Sequence, residues 1–328
     1  MTLDPNAHPA ASEAIPVGQT DAGEAVLSNG RAGDAVISIC VPTYHDGADA
    51  LLASLVRLPG AGDCTLLIYD DGSSDTGLTR ALAQQILRFP GPARLITASQ
   101  NQGRSHARNR LIALAESDWI LFLDADMRPD DEDFLNRYLE AAEASTYPSL
   151  IPGGFSLRHA VTTDQTRLHA AQSLASECLT ASQRAEAPGR YVFTSNILVH
   201  REILDAVQFD LGFTGWGWED VDWGLRIASE WPVLHIDNPA THLGLDTDKA
   251  LLAKYGASGA NFARALSQHR TILQKTPVFK AAKWLARLRL AGLAKFLGRI
   301  AASTRALPLR LRLFGLKLYR AAVYAEHV

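Results

Sequence analysis

Two carboxylates stand at the end of an apolar run in Trp119-Ile120-Leu121-Phe122-Leu123-Asp124-Ala125-Asp126-Met127-Arg128-Pro129. In an extended backbone the i, i+2 spacing sends both side chains to one side, and Pro129 helps end the strand. Two acids so placed repel each other unless a cation sits between them. Hard divalent ions such as Mn2+ or Mg2+ take oxygen ligands and are often held by one or two carboxylates plus substrate phosphates. The competing explanation is an acidic turn that caps the next helix, because Asp130, Asp131, Glu132 and Asp133 follow.

Four other stretches carry residues of chemical interest. Asp70-Asp71-Gly72-Ser73-Ser74-Asp75 offers carboxylates that can accept N–H bonds from a base or ribose, or else forms a tight turn with Asp75 as an N-cap. Asn101-Gln102-Gly103-Arg104-Ser105-His106-Ala107-Arg108-Asn109 opens a helix whose N-terminus favours anions, and Arg108 can bond phosphate oxygens. It is neither GxGxxG nor GxxxxGK[ST], which argues against a dinucleotide dehydrogenase and a P-loop NTPase. Phe213 to Arg226 packs three tryptophans, three glycines and three acids into fourteen residues. Indole faces are platforms for sugars or bases, while Glu219, Asp220 and Asp222 also suit the first turn of a helix. Tyr191 to Val199 reads as a strand with a polar trio, Thr194-Ser195-Asn196, in its middle. A lone His242 follows a short strand, Val233-Leu234-His235-Ile236; such a histidine is more often structural, unless a carboxylate-bound metal lies near.

The elements that position these groups follow from hydrophobic runs and turns. Val36 to Val41, Thr65 to Tyr69, Arg94 to Thr97 and Trp119 to Leu123 read as strands, with helical patterns from Leu51 to Leu58, over 76–88 and up to about Glu116. Strands alternating with helices imply βαβ units, a parallel doubly wound sheet and right-handed crossovers. The strand-end loops then share the edge where such sheets bind ligands. The expected fold class is α/β, with residues 1–34 as a disordered leader, rich in Ala, Gly, Pro and Asp.

The 328 residues carry a net charge of −3, but the charge is uneven. From Pro277 onward there are eleven Lys/Arg and one acid, Glu326, a balance of +10, so the rest stands at −13. An acidic body does not suggest nucleic-acid binding; the basic tail calls for an anionic partner. Its interleaved Trp, Phe and Leu suit an anionic membrane surface, although they fall on no clean stripe, and a helical cover for the core or a dimer contact is the alternative. Cys40, Cys64 and Cys178 show no CxxC spacing, which fits reduced thiols in a cytoplasmic chain. No signal-peptide pattern and no run of 18 apolar residues is seen.

Taken together, Val41-Pro42-Thr43-Tyr44, Tyr69-Asp70-Asp71-Gly72-Ser73-Ser74-Asp75, Asn101-x-Gly103-x-x-x-Ala107-Arg108-Asn109, Asp124-x-Asp126 and Gly215-Trp216-Gly217-Trp218-Glu219-Asp220 resemble, in this order, the inverting GT-A glycosyltransferases of family 2. The last stretch is similar to the galactosyltransferase C-terminal motif of chondroitin-polymerase-like enzymes, which usually has a second Gly where Trp218 stands. The resemblance spans about residues 35–245. It implies a GT-A domain over 35–246, with a nucleotide-binding half (35–130) and an acceptor-binding half (131–246), followed by a helical extension over 247–328.

It further implies that Pro42, Thr43, Tyr44, Asp70, Asp71, Arg108 and Asp124 bind a nucleotide-sugar donor, a UDP-sugar first of all. Asp126, Asp124 and His242 would hold Mn2+ or Mg2+. Asp220 would act as base with Glu219 orienting the acceptor, while Trp216, Gly217, Trp218 and Asn196 line the acceptor subsite. The implied activity is metal-dependent inverting transfer to a glycan or lipid-linked acceptor in cell-surface polysaccharide or glycolipid synthesis, at the inner face of the cytoplasmic membrane. A nucleotidyltransferase is a poor match, since Pro42-Thr43-Tyr44-His45-Asp46 stands where those enzymes carry a Gly-rich basic loop. A catalytically inactive glycan-binding scaffold is the other alternative, and the intact acids weigh against it.

Overall fold

The structure, a computed structural model, describes residues 14–328; the first part of the expected leader lies outside the described residues. The second part is not a leader. Strands β1 (Ile15–Gln19) and β2 (Ala25–Ser28) form an antiparallel hairpin, and β2 pairs with β5 (Ala93–Thr97). The cause is a single buried acid. Glu24 accepts from Arg110 Nε (2.9 Å) and Nη2 (2.8 Å), the Tyr69 hydroxyl (2.8 Å) and the Thr20 hydroxyl (2.5 Å). Composition hid this hairpin, because its strands are short and its outer one is fully exposed.

The main sheet continues through β3 (Ile37–Thr43), β4 (Cys64–Asp70) and β6 (Trp119–Leu123) to β10 (Asn196–His200) and β8 (Leu150–Pro152). Its order is β1-β2-β5-β4-β3-β6-β10-β8. The four central strands are parallel; β2 and β10 flank them antiparallel, and β8 pairs antiparallel with β10 beyond. Thr43 pairs with Asp70, and Asp70 with Thr97, so these strand ends are level along one edge. The strand period of two sorts the core into two layers. Ile39, Val41, Leu66, Ile68 and Leu121 pack toward helices α1 (Asp49–Leu55), α2 (Thr76–Arg88) and α4 (Phe134–Ala144). Cys40, Leu67, Tyr69, Ile120 and Phe122 pack toward α3 (Arg104–Leu114), α7 (Arg201–Ala206) and α8 (Glu219–Ala228). The expected doubly wound arrangement is therefore present, with an antiparallel border on each side.

Between these elements lie α5 (Arg167–Ser176), the short α6 (Ala181–Ala185), and a small sheet ordered β7 (Met127–Pro129), β11 (Ala240–His242), β9 (Phe155–Ser156). Two expectations shift here. The polar trio does not interrupt a strand, because Thr194 and Ser195 form the turn that precedes β10. Residues 233–236 make only an isolated bridge, Val233 to Leu150, and the strand proper is β11, which His242 ends.

Beyond β11 the chain is helical: α9 (Asp248–Ala257), α10 (Gly259–Gln268), α11 (Arg270–Leu273), α12 (Pro277–Arg287), α13 (Ala291–Ser303) and α14 (Leu309–Ala325). These helices share a core with Phe213 and Leu225, so they pack onto the body of the protein rather than trail as a loose tail. Helices α13 and α14 touch backbone to backbone. A Cβ on Gly298 would lie 2.7 Å from Tyr319 N, and one on Gly315 2.6 Å from the Ala301 Cβ. No helix among the described residues is long and apolar enough to cross a membrane.

Candidate active site

A cleft of about 380 Å3 opens at the C-terminal edge of the parallel strands. Pro42, Thr43 and Tyr44 from the end of β3, Asp71 beyond β4, and Asp124 and Asp126 beyond β6 line it, with Arg104 and Arg108 of α3 and Gly215 closing the far side. A second recess of about 350 Å3, lined by Asn101 to His106, Phe213, Thr214, Gly215 and Glu219, adjoins it through Asn101, Gly103, Arg104 and Gly215.

The two acids of the second strand end serve different ends. Asp70 is fully buried; its Oδ1 accepts from Ser73 N (3.1 Å) and the Ser73 hydroxyl, and its Oδ2 has no partner. Asp71 faces the cleft and ties down the loop before α3, accepting from Asn101 Nδ2 (2.9 Å), Gln102 N (3.0 Å) and Gly103 N (2.8 Å). Burial raises the Asp71 carboxyl above the usual range despite these bonds. The turn that follows them requires Gly72, since its φ is +78° and a Cβ would lie 2.3 Å from Gln100 C.

Arg108 links the cleft's acids. Its buried guanidinium donates to Asp124 Oδ1 (2.9 Å) and lies 4.0 Å from Asp220 Oδ1, over the Phe209 ring. Its Nε and Nη1 are buried without partners. Burial opposes its charge, but Asp124, Asp220 and Glu219 together more than offset that. Asp124 is thereby paired with an arginine, and it lines the cleft beside Asp126.

Asp126 is met instead by His242. Antiparallel pairing of β7 and β11 sets His242 opposite Met127, and His242 Nε2 lies 3.0 Å from Asp126 Oδ2 across 116 residues of sequence. Burial works against the Asp126 carboxylate, yet the His242 ring holds it below its ordinary value; burial likewise works against the His242 cation, and Asp126 raises it overall. Gly244 leaves this carboxylate room, for a Cβ there would come within 2.1 Å of Asp126 Oδ2. A carboxylate oxygen and an imidazole nitrogen directed at each other fit a hard divalent ion that takes its other ligands from substrate and water. No closed group of three or more such ligands exists among the described residues.

Asp220 and Glu219 begin α8. Asp220 accepts from the Thr194 hydroxyl (2.8 Å) and, more weakly, Thr194 N (3.4 Å), while 27% of its side chain stays open to solvent. Burial raises its pKa, and Arg108 pulls the other way. Glu219 is nearly covered, with Arg104 3.7 Å away, and burial followed by the Asp220 charge raises its pKa. Asp222 is structural, fully buried between Arg226 (2.9 Å) and His269 (2.8 Å).

The expected acceptor residues divide. Asn196 does not face the cleft, because its amide is spent in the core: Oδ1 accepts from the Tyr138 hydroxyl (2.7 Å) and Nδ2 donates to Gly154 O and Asn238 O (2.9 Å each). Trp223, the third tryptophan of the motif, is core too, stacked on Phe209 with Nε1 on Val207 O. Trp216 packs edge-on against Tyr255. Trp218 turns to the C-terminal helices, donating to the Tyr324 hydroxyl (2.8 Å) beneath Arg320. Its φ of +77° is a conformation that glycine favours, and the ring's contacts with Phe262 and Tyr324 offset the strain.

Sequence reasoning missed Asn261 of α10. It accepts from Thr214 N (3.3 Å) and donates to Thr214 O and Gly217 O (2.9 Å each), so it sets the loop that leads to Asp220. A polar residue amid the apolar stripe of α10 was the available signal.

Comparison with known proteins fits this geometry. The sequence profile of glycosyl transferase family 2 matches residues 38–206, more than half of the chain. The chain belongs to glycosyl transferase family 2. An uncharacterized glycosyltransferase of Haemophilus influenzae is 34% identical over 93 residues, 28% of this chain and 29% of that protein, so the match spans under a third of the relative's length. Among solved structures, the mannosyltransferase PcManGT from Pyrobaculum calidifontis, in complex with GDP-Man and Mn2+, superposes with a TM-score of 0.56 at 15% identity over 90% of both chains. S. aureus TarS 1-349 in complex with UDP-GlcNAc gives 0.44 at 15% identity over 87% of this chain and 89% of that one. The first of these is a likeness of fold, that of this family 2 member's GT-A-type sheet.

Proposed function

We propose that the protein transfers a sugar, with inversion, from a nucleotide-sugar donor to a hydroxyl of a glycan or lipid-linked acceptor. The carrying observation is Asp220, a partly open carboxylate oriented by Thr194 and held beside Arg108 at the mouth of the donor cleft. A positioned carboxylate of raised pKa can take the acceptor's proton as its oxygen attacks the anomeric carbon. One displacement inverts that carbon without a covalent intermediate, unlike the paired acids of retaining hydrolases.

Donor binding falls to the strand-end loops: Pro42 to Tyr44 and Asp71 flank the nucleoside, and Arg104 and Arg108 supply cations for the diphosphate. Asp126 and His242 would hold Mn2+ or Mg2+, which when bound stabilises charge on the departing nucleoside diphosphate. Glu219 orients the acceptor, and the Gly215–Trp218 loop shapes its approach.

An anionic membrane surface is the partner we assign to the C-terminal helices. Helix α13 is inverted: its small residues Ala294, Gly298 and Ala302 face the protein, while Leu293, Phe296, Leu297 and Ile300 stand exposed at i, i+3, i+4 and i+7. The stripe that composition did not reveal is therefore clean on this helix, and it lies in a C-terminal region that carries eleven Lys/Arg against one acid.

The deciding experiment is nucleoside diphosphate release from a panel of nucleotide sugars with an acceptor, with Mn2+ or with chelator. Asp220→Asn should lower turnover about 10²–10⁴-fold and leave nucleotide binding intact. Retention of most activity would remove Asp220 from the base role.

A further inference from the structure

A recess of about 630 Å3 lies between the end of α5, the segment that runs to Phe193, the start of α8 and the C-terminal helices, and shares no lining residue with the donor cleft. Its inner wall holds Phe193, Trp218 and Val221. All three adjoin the base: Val221 follows Asp220, Trp218 lies two residues before it, and Phe193 precedes the Thr194 that bonds it. The outer wall comes from α12 and α14, the latter carrying Arg320. We infer that this recess receives the phosphate-bearing head of a lipid-linked acceptor, with Arg320 as the anion contact.

The charge argument concerns Arg320 first. Its guanidinium sits over Tyr255 (5.1 Å), Tyr324 (5.4 Å) and Trp218 (5.6 Å), and its Nε donates to the Tyr324 hydroxyl (3.1 Å). Among the described residues no carboxylate forms an ion pair with it. Aromatic faces fix the plane of a guanidinium whose charge no carboxylate pairs, which is the geometry that suits a phosphate. Arg190 and Lys317 line the same recess against a single acid, Glu177.

The apolar argument selects a lipid over a soluble acidic glycan. Leu273, Val278 and Leu316 line the recess beside the cations. Along α12, Ala281 in the recess is followed at i+3 and i+7 by Trp284 and Leu288, both exposed; along α14, Lys317 is preceded at i−3 by Phe314, which is 65% exposed. Such spacing keeps residues on one helix face. A hydrocarbon chain leaving the recess along either helix meets large apolar side chains. The inference rests on the sugar-transfer reading for the role of the site, though not for its binding chemistry.

The test titrates the full-length protein with dodecyl phosphate, with neutral dodecyl maltoside and with inorganic phosphate, following tryptophan fluorescence below micelle formation. Dodecyl phosphate should bind about tenfold or more tightly than either control, and Arg320→Gln should weaken it by a similar factor. Arg320→Lys should restore part of the loss. Equal affinity for the neutral amphiphile would make the recess a plain apolar pocket, and equal affinity for inorganic phosphate a plain anion site; either overturns the inference, as does unchanged binding by Arg320→Gln. Should Arg320→Gln fail to fold, Ala281→Trp, at a solvent-accessible position, fills the recess with Arg320 in place, and undiminished dodecyl phosphate binding by it is equally fatal. Nucleoside diphosphate binding with Mn2+, measured in parallel, reports the donor cleft separately. Its loss in every protein would count against the sugar-transfer reading alone.

Discussion

Arg108 is the residue through which the cleft's charges communicate. It is buried, it donates to Asp124, and it stands 4.0 Å from Asp220. With Asp220 as the proposed base, activity should fall as pH drops through its pKa, which burial places above the ordinary carboxylate value. Arg108 is the chief influence lowering it, so Arg108→Gln should move the acid limb of kcat/KM to higher pH, by about one unit. An unmoved limb would show that Arg108 holds structure only. The acids that flank Arg108 were legible from spacing, since two carboxylates after an apolar strand need an explanation. What spacing could not give is their partners. Asp124 pairs with Arg108 and Asp126 with His242 because of side-chain directions set by tertiary contacts, and no period in the chain encodes those. Asn196 misled for the same reason: in sequence it is a polar residue near a cleft, in space a core residue with every hydrogen bond filled.

At the scale of elements, two connections hold the site in shape. The N-terminal hairpin hangs on Glu24, whose carboxyl is shielded from water, a cost outweighed by bonds from Arg110, Thr20 and Tyr69 that bring its pKa down to about 2. A depressed carboxylate pKa stabilises the fold above the unfolded value of 4.5, and that gain is lost as pH falls toward 2. Glu24→Gln should therefore cost about 2 kcal/mol at neutral pH and much less near pH 3, as urea melts at both values would report. The hairpin was readable in principle from Asp21-Ala22-Gly23 between two short apolar runs, but Ala and Gly richness outweighed it. Asn261 is the second connection. Asn261→Leu strips the hydrogen bonds that its amide makes to the Thr214–Gly217 backbone, costs about 1–3 kcal/mol, and should lower kcat more than donor affinity, since the loop leads directly to Asp220 and only its Gly215 borders the donor cleft. Equal losses in both would place the loop's role in folding alone.

For the whole molecule, the parallel centre of the sheet and its helical layers follow from runs of buried residues between turn signals, and the sequence announced them plainly. The C-terminal third was harder, because its apolar residues serve two faces at once. One face joins the core with Phe213 and Leu225; the other carries Phe296 and Phe314, exposed by 61% and 65%. Replacing both outer phenylalanines, Phe296→Asp with Phe314→Asp, should abolish pelleting with anionic vesicles and leave the melting temperature within a few degrees, as exposed positions usually do. Equal pelleting of the variant would assign the face to another partner.

The tight crossing of α13 and α14 at Gly298 and Gly315 gives that face a property beyond attraction. Two helices in backbone contact cannot roll against each other, so the outer ridge is carried like a keel on a hull. On a bilayer the depth of the keel would dictate the tilt of the body, and the mouth of the active centre would meet every passing acceptor at one angle. Search would then be reduced from three dimensions to two, and orientation would be settled before encounter.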